Sequence, residues 1–314
     1  MVTIYDVAKR VGCAPSTISK YITKHGYVSQ QLGQRIALAI QELDYHYNGM
    51  ARSLSTNTNN RIGIMVPFLN HPYFQGLVSA ISEAATAVNK EVIIFPTKYD
   101  INREKHYLAE LEHQLISGLI ITSHALPYQE IAQYKRFGEI VFCETLADES
   151  VKSVNINRYS AFIDLFKTLK KNVKSNIGFL LIRPAKQSIT TRDTLKAYQE
   201  VFHSPIPSNS IQYHCCTAPD GQKAVAKIIK KNPQLQVLLT EGDASAAGAF
   251  KYLQKIKHDH IMIIGQGNRL PSQLLNFSSI DQHITQIGQK AVALVLDHSA
   301  RKKEDVSFNI IWRK

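Results

Sequence analysis

Hydrophobic residues in the first 45 positions recur every three or four residues, in three short runs separated by polar segments. This spacing places the apolar side chains on one face of an α-helix and predicts three short amphipathic helices. The expected inward-facing residues are Val7, Ala8 and Val11 in the first helix, Ile18 and Ile22 in the second, and Leu32, Ile36, Ile40 and Leu43 in the third.

Residues that favour helix ends mark the boundaries of these helices. Thr3, with Asp6 three residues later, fits a capping box at the start of the first helix. Gly12 lies in the turn that follows, and Pro15 suits the first position of the second helix because its missing N–H needs no partner there. Ser29 suits the N-cap of the third helix. Two short helices around a glycine-containing turn predict a helix-turn-helix headpiece over residues 1–46.

From Arg61 onwards the pattern changes to short apolar strands that alternate with amphipathic helices. A strand is predicted at 61–68 and a helix at 74–89, and later elements include a strand at 211–216 and helices at 191–202, 221–231 and 244–255. This alternation predicts parallel sheets covered by helices on both faces, and the length accommodates two such lobes. The expected fold is an N-terminal all-α headpiece followed by an α/β core of two doubly wound lobes at 61–314.

Residues 47–60 separate the two patterns. Met50, Ala51 and Leu54 form a short apolar stripe, and the segment is polar from residue 55 onwards, which predicts a short helix followed by a linker. An unstructured linker is the alternative, because Gly49 weakens a helix by about 1 kcal/mol relative to alanine.

The composition is that of a globular protein that can bury large cores, with 314 residues of which 44% are hydrophobic. No apolar run is long enough to span a membrane, and no signal-peptide pattern is present, so we expect a cytoplasmic protein. The cysteines lack metal-binding spacing and are expected to be reduced thiols. The net charge of +12 suits an anionic partner, although most of the excess lies in lysine-rich helical runs expected to be solvated surface.

The second helix of a helix-turn-helix unit lies in the major groove of DNA and presents its N-terminal residues to the base edges. Here these residues are Pro15, Ser16 and Thr17, with Lys20 one turn further on. Hydroxyl groups can donate to phosphate or base atoms, and the lysine ammonium group can reach guanine acceptors. The spacing alone leaves open a small three-helix bundle with solvated polar faces.

Several segments resemble the LacI/GalR family of bacterial transcription regulators: VTIYDVAKRVG, STISK, YVS, AIQELDY and the N-x-x-AR-x-L spacing at 48–54. The resemblance covers the whole chain and implies DNA binding, most often as a repressor. The chain departs from the family at 13–14, where Cys-Ala replaces Val-Ser, and at 32–33, where Leu-Gly replaces Thr-Arg. Lys20 replaces an arginine, and Thr23 an asparagine. These departures concern which operator is bound.

The resemblance implies a homodimer on a pseudo-palindromic operator. Residues 47–60 would form a hinge helix that orders on the operator, and Leu54 would wedge between base pairs in the minor groove. The expected DNA-binding residues are Thr3, Tyr5, Pro15, Ser16, Thr17, Ser19, Lys20, Tyr27, Ser29, Asn48, Ala51, Arg52 and Leu54.

The resemblance further implies a core like that of periplasmic binding proteins, with chain crossings near Asn157, near Gln282 and close to the C-terminus. Lobe one is then expected at about 61–156 and 284–307, and lobe two at about 157–283 and 308–314. Ligands of open α/β sheets bind beyond the carboxyl ends of the strands. The effector-binding candidates at those ends are Tyr73, Phe74, Ser123, Glu144, Arg183, Ser188, Arg192, Asp243 and Gln266.

These residue types suit a sugar, because carboxylate, guanidinium and amide groups bind hydroxyls and an aromatic ring packs against the apolar sugar face. The family's usual asparagine and aspartate are replaced by Gly242 and Gly267, whereas Arg183 stands where glycine is common. A lost carboxylate and a gained arginine lead to the hypothesis of an anionic effector, with a sugar phosphate as the leading candidate. If Arg183 faces solvent, or is paired with Glu144 or Asp243, a neutral sugar fits instead.

The sequence therefore predicts a DNA-binding repressor of a carbohydrate-utilisation operon, controlled by a sugar or sugar phosphate bound between the lobes and needing no cofactor or metal. A nucleobase or nucleoside effector, a co-repressor requirement and activation remain alternatives, as does a sugar-binding protein or an enzyme on the same fold. Against an enzyme, GQGNRL is an incomplete GxGxxG after a late strand, and Walker, G-x-S-x-G and H-E-x-x-H motifs do not occur.

Overall fold

The computed structural model describes residues 2–46, 59–144, 146, 151–172, 174–299 and 303–313. The chain divides into two compact units, Met1–Asn59 and Asn60–Lys314. Among the described residues, no helix has the length and apolar character needed to cross a membrane.

The first unit contains three helices, α1 (Ile4–Val11), α2 (Pro15–Thr23) and α3 (Gln30–Glu42). The predicted capping box of α1 is present, because the Thr3 N–H donates to Asp6 Oδ2 at 2.8 Å and the Asp6 N–H donates to Thr3 Oγ1 at 3.4 Å. Gly12 ends α1 in the left-handed region, with φ of 74°. Ser29 occupies the N-cap of α3, but its side chain makes no capping hydrogen bond.

A small apolar core holds the three helices together. Its buried residues are Val7, Ala8, Val11, Ile18, Ile36 and Ala39, with Ile22, Leu32, Ile40 and Leu43 packed partly buried around them. Gly33 belongs to this contact, since a Cβ atom there would lie 3.1 Å from Cε2 of Tyr21. The glycine inside α3 therefore gives room to the tyrosine ring of α2.

The second unit contains two six-stranded sheets. The first part of the chain forms β1 (Arg61–Val66), β2 (Glu91–Pro96), β3 (Gly118–Ile121), β4 (Glu139–Phe142) and β5 (Lys152–Ile156). The second part forms β6 (Ile177–Leu180), β7 (Ile211–Gln212), β8 (Val237–Thr240), β9 (Met262–Gln266) and β10 (Ser278–Asp281). The chain then returns to each sheet once, as β11 (Lys303–Val306) and β12 (Asn309–Ile311).

The strand orders are β11-β5-β4-β3-β1-β2 in the first sheet and β12-β10-β9-β8-β6-β7 in the second. Strand pairs are parallel except β10–β12, which is antiparallel. We call the parts built around these sheets lobe one and lobe two. The carboxyl ends of the parallel strands share one edge of each sheet, so residues that follow those strands are brought together.

Helices cover the sheets, as the alternating pattern predicted. They are α4 (Pro72–Ala87), α5 (Ile101–Glu112), α6 (Tyr128–Ala132), α7 (Arg158–Lys171), α8 (Ile189–Phe202), α9 (Ala218–Lys231), α10 (Asp243–Lys255), α11 (Leu270–Leu274) and α12 (Ile284–Leu296). Helix α12 packs against α4 in the core of lobe one, although it follows the last strands of lobe two. The expected fold class, a helical headpiece with a two-lobed α/β core, is confirmed.

Some element boundaries differ from the predictions for local reasons. Helices α8 and α9 begin two and three residues earlier than predicted, because the side chains of Ser188 and Thr217 accept hydrogen bonds from the N–H groups of Thr191 and Asp220. The predicted strand at 211–216 is wrong beyond residue 212. His214 has a φ of 64°, and this left-handed backbone ends the extended conformation.

Helices α9 and α10 touch through their backbones. A Cβ atom at Gly221 would lie 1.9 Å from the carbonyl oxygen of Ser245, and one at Gly248 would lie 1.8 Å from that of Ala218. Only glycine permits such a close approach, so these two positions fix how the helices beside β8 pack in lobe two.

Candidate functional site

The predicted recognition residues lie at the exposed start of α2. Pro15, Ser16 and Thr17 form its first turn, and Lys20 follows one turn later, exposed. The aliphatic stem of Lys20 lies over Gly26, where a Cβ atom would be 3.2 Å from its Cδ. The Lys20 ammonium makes no hydrogen bond or ion pair within the described residues. It is therefore free to contact an acceptor from outside the unit.

The arginines of α1 and α3 are already engaged. Arg10 forms a 2.7 Å ion pair with Glu42, and Arg35 donates to the carbonyl oxygen of Val11 at 2.6 Å. These contacts join α1 to α3 and hold the bundle rather than leaving charge for a partner. Lys20 is thus a better candidate for an external contact than either arginine.

Ser19 is half-buried in α2, where its carbonyl oxygen accepts a hydrogen bond from the Thr23 hydroxyl at 2.7 Å. The other predicted residues among 2–46 fall into two groups. Tyr5 and Tyr27 are exposed over 71% and 90% of their surfaces, so both rings are accessible to a partner. Thr3 and Ser29 stand at helix starts, and the Thr3 hydroxyl donates to Asp6 Oδ2 at 2.7 Å. Asn48, Ala51, Arg52 and Leu54 of the predicted hinge lie outside the described residues.

In lobe one, four predicted effector residues follow the carboxyl ends of neighbouring strands. Tyr73 and Phe74 lie in the first turn of α4 after β1, Ser123 follows β3, and Glu144 follows β4. Burial raises the pKa of the Glu144 carboxyl, and His124 and the Ser123 hydroxyl act in the opposite direction. Glu144 Oε1 is buried without a hydrogen-bond partner. The structure thus places Tyr73, Ser123 and Glu144 close together.

Arg158, which the sequence analysis did not predict, joins this group from the first turn of α7. Its Nη2 donates to Tyr73 Oη at 3.4 Å, and its guanidinium carbon lies 5.9 Å from the centre of the tyrosine ring. Burial raises the pKa values of Glu144 in lobe one and Glu241 in lobe two, and the positive charge of Arg158 acts in the opposite direction on both. Arg158 Nε is buried without a partner. Arg158 therefore stands where the two lobes meet.

Three predicted effector residues of lobe two are held within that lobe. Ser188 caps α8, and the exposed Arg192 donates to the carbonyl oxygen of Ala185 at 3.4 Å. Asp243 is buried and accepts hydrogen bonds from the Arg269 N–H at 2.6 Å and from Ser279 Oγ at 2.7 Å. These contacts give all three a role in shaping lobe two.

Arg183 and Gln266 reach the meeting point of the lobes. Arg183 is exposed, which is the condition under which a neutral sugar was the alternative, and its guanidinium carbon lies 5.5 Å from the ring centre of Tyr99 in lobe one. Its carboxylate neighbour is Glu241, rather than Glu144 or Asp243, and Glu241 also accepts the Ile182 N–H at 2.6 Å. Gln266 is buried, and its Oε1 lies 3.5 Å from Nε2 of Gln282, which stands beside the crossing back to lobe one.

A second unpredicted arginine also bridges the lobes. Arg269 Nη2 donates to the carbonyl oxygen of Pro72 at 3.0 Å, at the start of α4. His71, the N-cap residue of α4, has a lowered pKa, first because of burial and then because of the nearby Arg183 charge. His71 Nδ1 is buried without a partner.

We call this region the interlobe site, defined by His71, Tyr73, Tyr99, Glu144, Arg158, Arg183, Glu241 and Arg269. Buried polar atoms without partners are rare in folded proteins and usually mark missing water or ligand. Three of the five such side-chain atoms in the described residues belong to this site: His71 Nδ1, Glu144 Oε1 and Arg158 Nε. The site therefore suits a polar ligand. The described residues contain no cluster of His, Cys, Asp and Glu that could hold a metal ion.

Comparison with known proteins finds matches for both the N-terminal helical unit and the two-lobed core. Residues 3–48 match the profile of bacterial regulatory proteins of the lacI family, and residues 59–302 match that of periplasmic binding proteins and the sugar binding domain of the LacI family. The chain belongs to the LacI family of bacterial regulatory proteins. The family resemblance of the sequence is thereby confirmed.

This LacI-family chain is similar along nearly its whole length to known regulators. It is 30% identical to catabolite control protein B of Bacillus subtilis (strain 168), covering 94% of each chain. It is 27% identical to the ribose operon repressor of Halalkalibacterium halodurans, covering 97% of this chain and 92% of that one. The fold matches that of a lac repressor dimer bound to operator and an anti-inducer, with a TM-score of 0.81, 20% identity and coverage of 100% and 98%.

The sequence analysis missed Tyr99, Arg158, Glu241 and Arg269. Glu241 directly follows the apolar strand β8, so its position at a strand end was a usable signal. Tyr99 and Arg269 lie in loops, and Arg158 starts a helix on the far side of a chain crossing. No local pattern of residues indicates that these three side chains converge.

Proposed function

We propose that this LacI-family protein represses a carbohydrate-utilisation operon, and that a small ligand in the interlobe site sets its affinity for operator DNA. The observation that carries the proposal is the combination, in one chain, of a helix-turn-helix unit with a free Lys20 and a core whose interlobe site contains buried, unpartnered polar atoms. The names of similar proteins, which include ribose and sucrose operon repressors, support a carbohydrate role.

The proposal includes binding to the operator as a homodimer. Lobe one exposes apolar side chains in and around the edge strand of its sheet: Val88 before β2, Ile94 in β2 and Ile101 after it, at the start of α5. In lobe two, Leu270 and Leu274 of α11 are exposed. A two-fold related copy would cover such patches, and it would place two headpieces on two half-sites.

In this proposal the interlobe site binds a ligand and catalyses no reaction. The protein acts on DNA in the cytoplasm. Asp243 is held by two donors within lobe two. Burial raises the pKa of Cys143 beyond the usual thiol range and that of Cys215 to about 12, so neither supplies a thiolate near neutral pH. These groups are suited to a structural role.

A gel-shift experiment tests the proposal. The full chain should shift DNA from upstream of its own gene and of neighbouring carbohydrate genes, in the presence of excess unrelated DNA. A protein that begins at residue 60 should not shift this DNA, while it keeps the thermal transition of the core. If the shortened protein shifts DNA as well as the full chain does, or if neither prefers upstream DNA, the proposal is wrong.

A further inference from the structure

The N-terminal end of α4 lies in the interlobe site and lacks the groups that usually satisfy a helix start. Its N-cap residue His71 makes no capping hydrogen bond, and its first turn contains no acidic residue. Within the described residues, the N–H groups of Tyr73 and Phe74 donate to no acceptor. Such an end carries a partial positive charge and free donors, and both favour an anion.

Two guanidinium groups of lobe two lie at this same positive end. Arg269 donates to the Pro72 carbonyl oxygen, and Arg183 lies close enough to His71 to lower the pKa of that side chain. Cations stabilise helix C-termini and are unfavourable at N-termini. Two arginines at the start of α4 therefore form an arrangement that a bound anion would stabilise.

The guanidinium N–H groups of Arg183 are available to donate hydrogen bonds to such an anion. Its guanidinium lies over the Tyr99 ring and makes no hydrogen bond to any described residue. The facing carboxylate, Glu241, already accepts the Ile182 N–H, and burial raises its pKa. A planar guanidinium group with free N–H groups can bind phosphate oxygens in pairs.

Two further unpartnered atoms indicate which groups the ligand carries besides the anion. Glu144 Oε1 and Arg158 Nε are both buried and unpartnered beside Tyr73. A carboxylate oxygen accepts and a guanidinium N–H donates, so the pair suits hydroxyl groups, which do both. The ligand thus presents hydroxyls at one end and a negative charge at the other.

We propose that the interlobe site binds a phosphorylated sugar, with its phosphate group at the start of α4 between His71 and Arg183 and its hydroxyls on Glu144 and Arg158. This inference rests on the proposed function and specifies the ligand class of the same site. Hydrogen bonds to charged groups contribute roughly tenfold to hundredfold in affinity, so the phosphate should dominate recognition.

Calorimetry on the full-length protein tests the inference with matched pairs: glucose and glucose 6-phosphate, fructose and fructose 6-phosphate, and ribose and ribose 5-phosphate. At least one phosphate should bind about tenfold or more tightly than its neutral sugar, and inorganic phosphate should compete with it. Arg183→Gln should remove this preference for the phosphorylated member of the pair.

Lys186→Gln is the matched control, because it removes one positive charge from the same loop at an exposed position outside the site. It should retain the preference, and circular dichroism should show that both variants melt like the wild type. Equal affinity within every pair, no phosphate binding at all, or a preference that survives Arg183→Gln would overturn the inference. Sequence-specific DNA binding in the same preparations would show that the proposed function stands even so.

Discussion

A Cβ atom at Gly76 would lie 2.1 Å from Arg269 Nη2, so the guanidinium of lobe two occupies the space where a side chain of lobe one would begin. Gly76 belongs to the first part of α4, and the same guanidinium group donates to the carbonyl oxygen of Pro72. The absence of a side chain at position 76 therefore lets the two lobes meet at the start of this helix.

Gly76→Ala should displace the Arg269 side chain and break its hydrogen bond to Pro72. The displaced atoms are the end of a flexible side chain, so the core should stay folded, with a change in unfolding free energy within about 1 kcal/mol. Hydrogen–deuterium exchange should then increase in residues 266–275. Gly242→Ala, where nothing lies within 4 Å of an added Cβ, is the control and should leave this exchange unchanged. Unaltered exchange in Gly76→Ala would argue against the interlobe contact.

Gly248→Ala should destabilise the core, because the new methyl group meets the backbone of Ala218 rather than a movable side chain. Overpacking of this kind costs about 1–3 kcal/mol, which exceeds the gain of about 1 kcal/mol from alanine in a helix. Urea unfolding measures the difference. Gly242→Ser, in open space at the N-cap of α10, should change stability by less than about 0.5 kcal/mol. Similar midpoints for both variants would contradict the close packing of α9 and α10.

Thr3→Ala should lower the free energy of unfolding of α1 by about 1 kcal/mol, because it removes the capping box that Thr3 forms with Asp6. Ser29→Ala should cost less, since Ser29 makes no capping hydrogen bond at the start of α3. Amide exchange in α1 and α3, followed by NMR, measures both effects. An equal effect of the two substitutions would refute this difference between the caps.

The same cap predicts a pH dependence. Hydrogen bonds from the Thr3 side chain and backbone lower the pKa of the Asp6 carboxyl below its ordinary value of 3.8. A lowered folded-state pKa means that the stabilisation is fully present above the unfolded value and is lost as the pH falls through the folded one. Protection of α1 should therefore decline below pH 3.8 in the wild type, and it should decline less in Thr3→Ala.

Lys20→Ala should weaken operator binding by about 1–3 kcal/mol and relax the base preference at one operator position. Lys9→Ala removes the same charge from α1 and should weaken binding to all sequences alike, with a smaller salt dependence. Binding titrations on operator variants at two salt concentrations separate the two effects. If Lys20→Ala retains full discrimination among bases, Lys20 does not read the operator.

Local patterns in the sequence were enough to predict the headpiece and the layered core. The Thr3–Asp6 cap, the Gly12 turn and the strand–helix alternation depend on residues close together in the chain, and each is present in the structure. The effector residues were harder to predict because a polar residue at a strand end can face either a ligand or its own lobe. Asp243 illustrates this, since its partner Arg269 lies 26 residues later.

The arginines of the interlobe site were also hard to predict from the sequence, because their partners are distant in the chain. Arg158 and Arg269 act across lobes, on Tyr73 and Pro72, at sequence separations of 85 and 197 residues. Their roles depend on how two sheets meet, which hydrophobic periodicity does not encode. Arg183 was identified by its position after β6, but its partners Tyr99 and Glu241 became evident only in the folded chain.

The central claim is that a ligand in the interlobe site controls DNA binding. A thermal-shift panel of sugars and sugar phosphates identifies the ligand, which at a hundred times its dissociation constant should stabilise the core by about 2.7 kcal/mol. Fluorescence anisotropy then gives the operator affinity of the full-length protein with and without saturating ligand. We expect a change of roughly fivefold or more, as is typical of allosteric coupling. In Glu144→Ala the ligand should have no effect, while ligand-free DNA binding stays intact. An operator affinity that is the same with and without saturating ligand, or a ligand effect that persists in Glu144→Ala, would contradict the account.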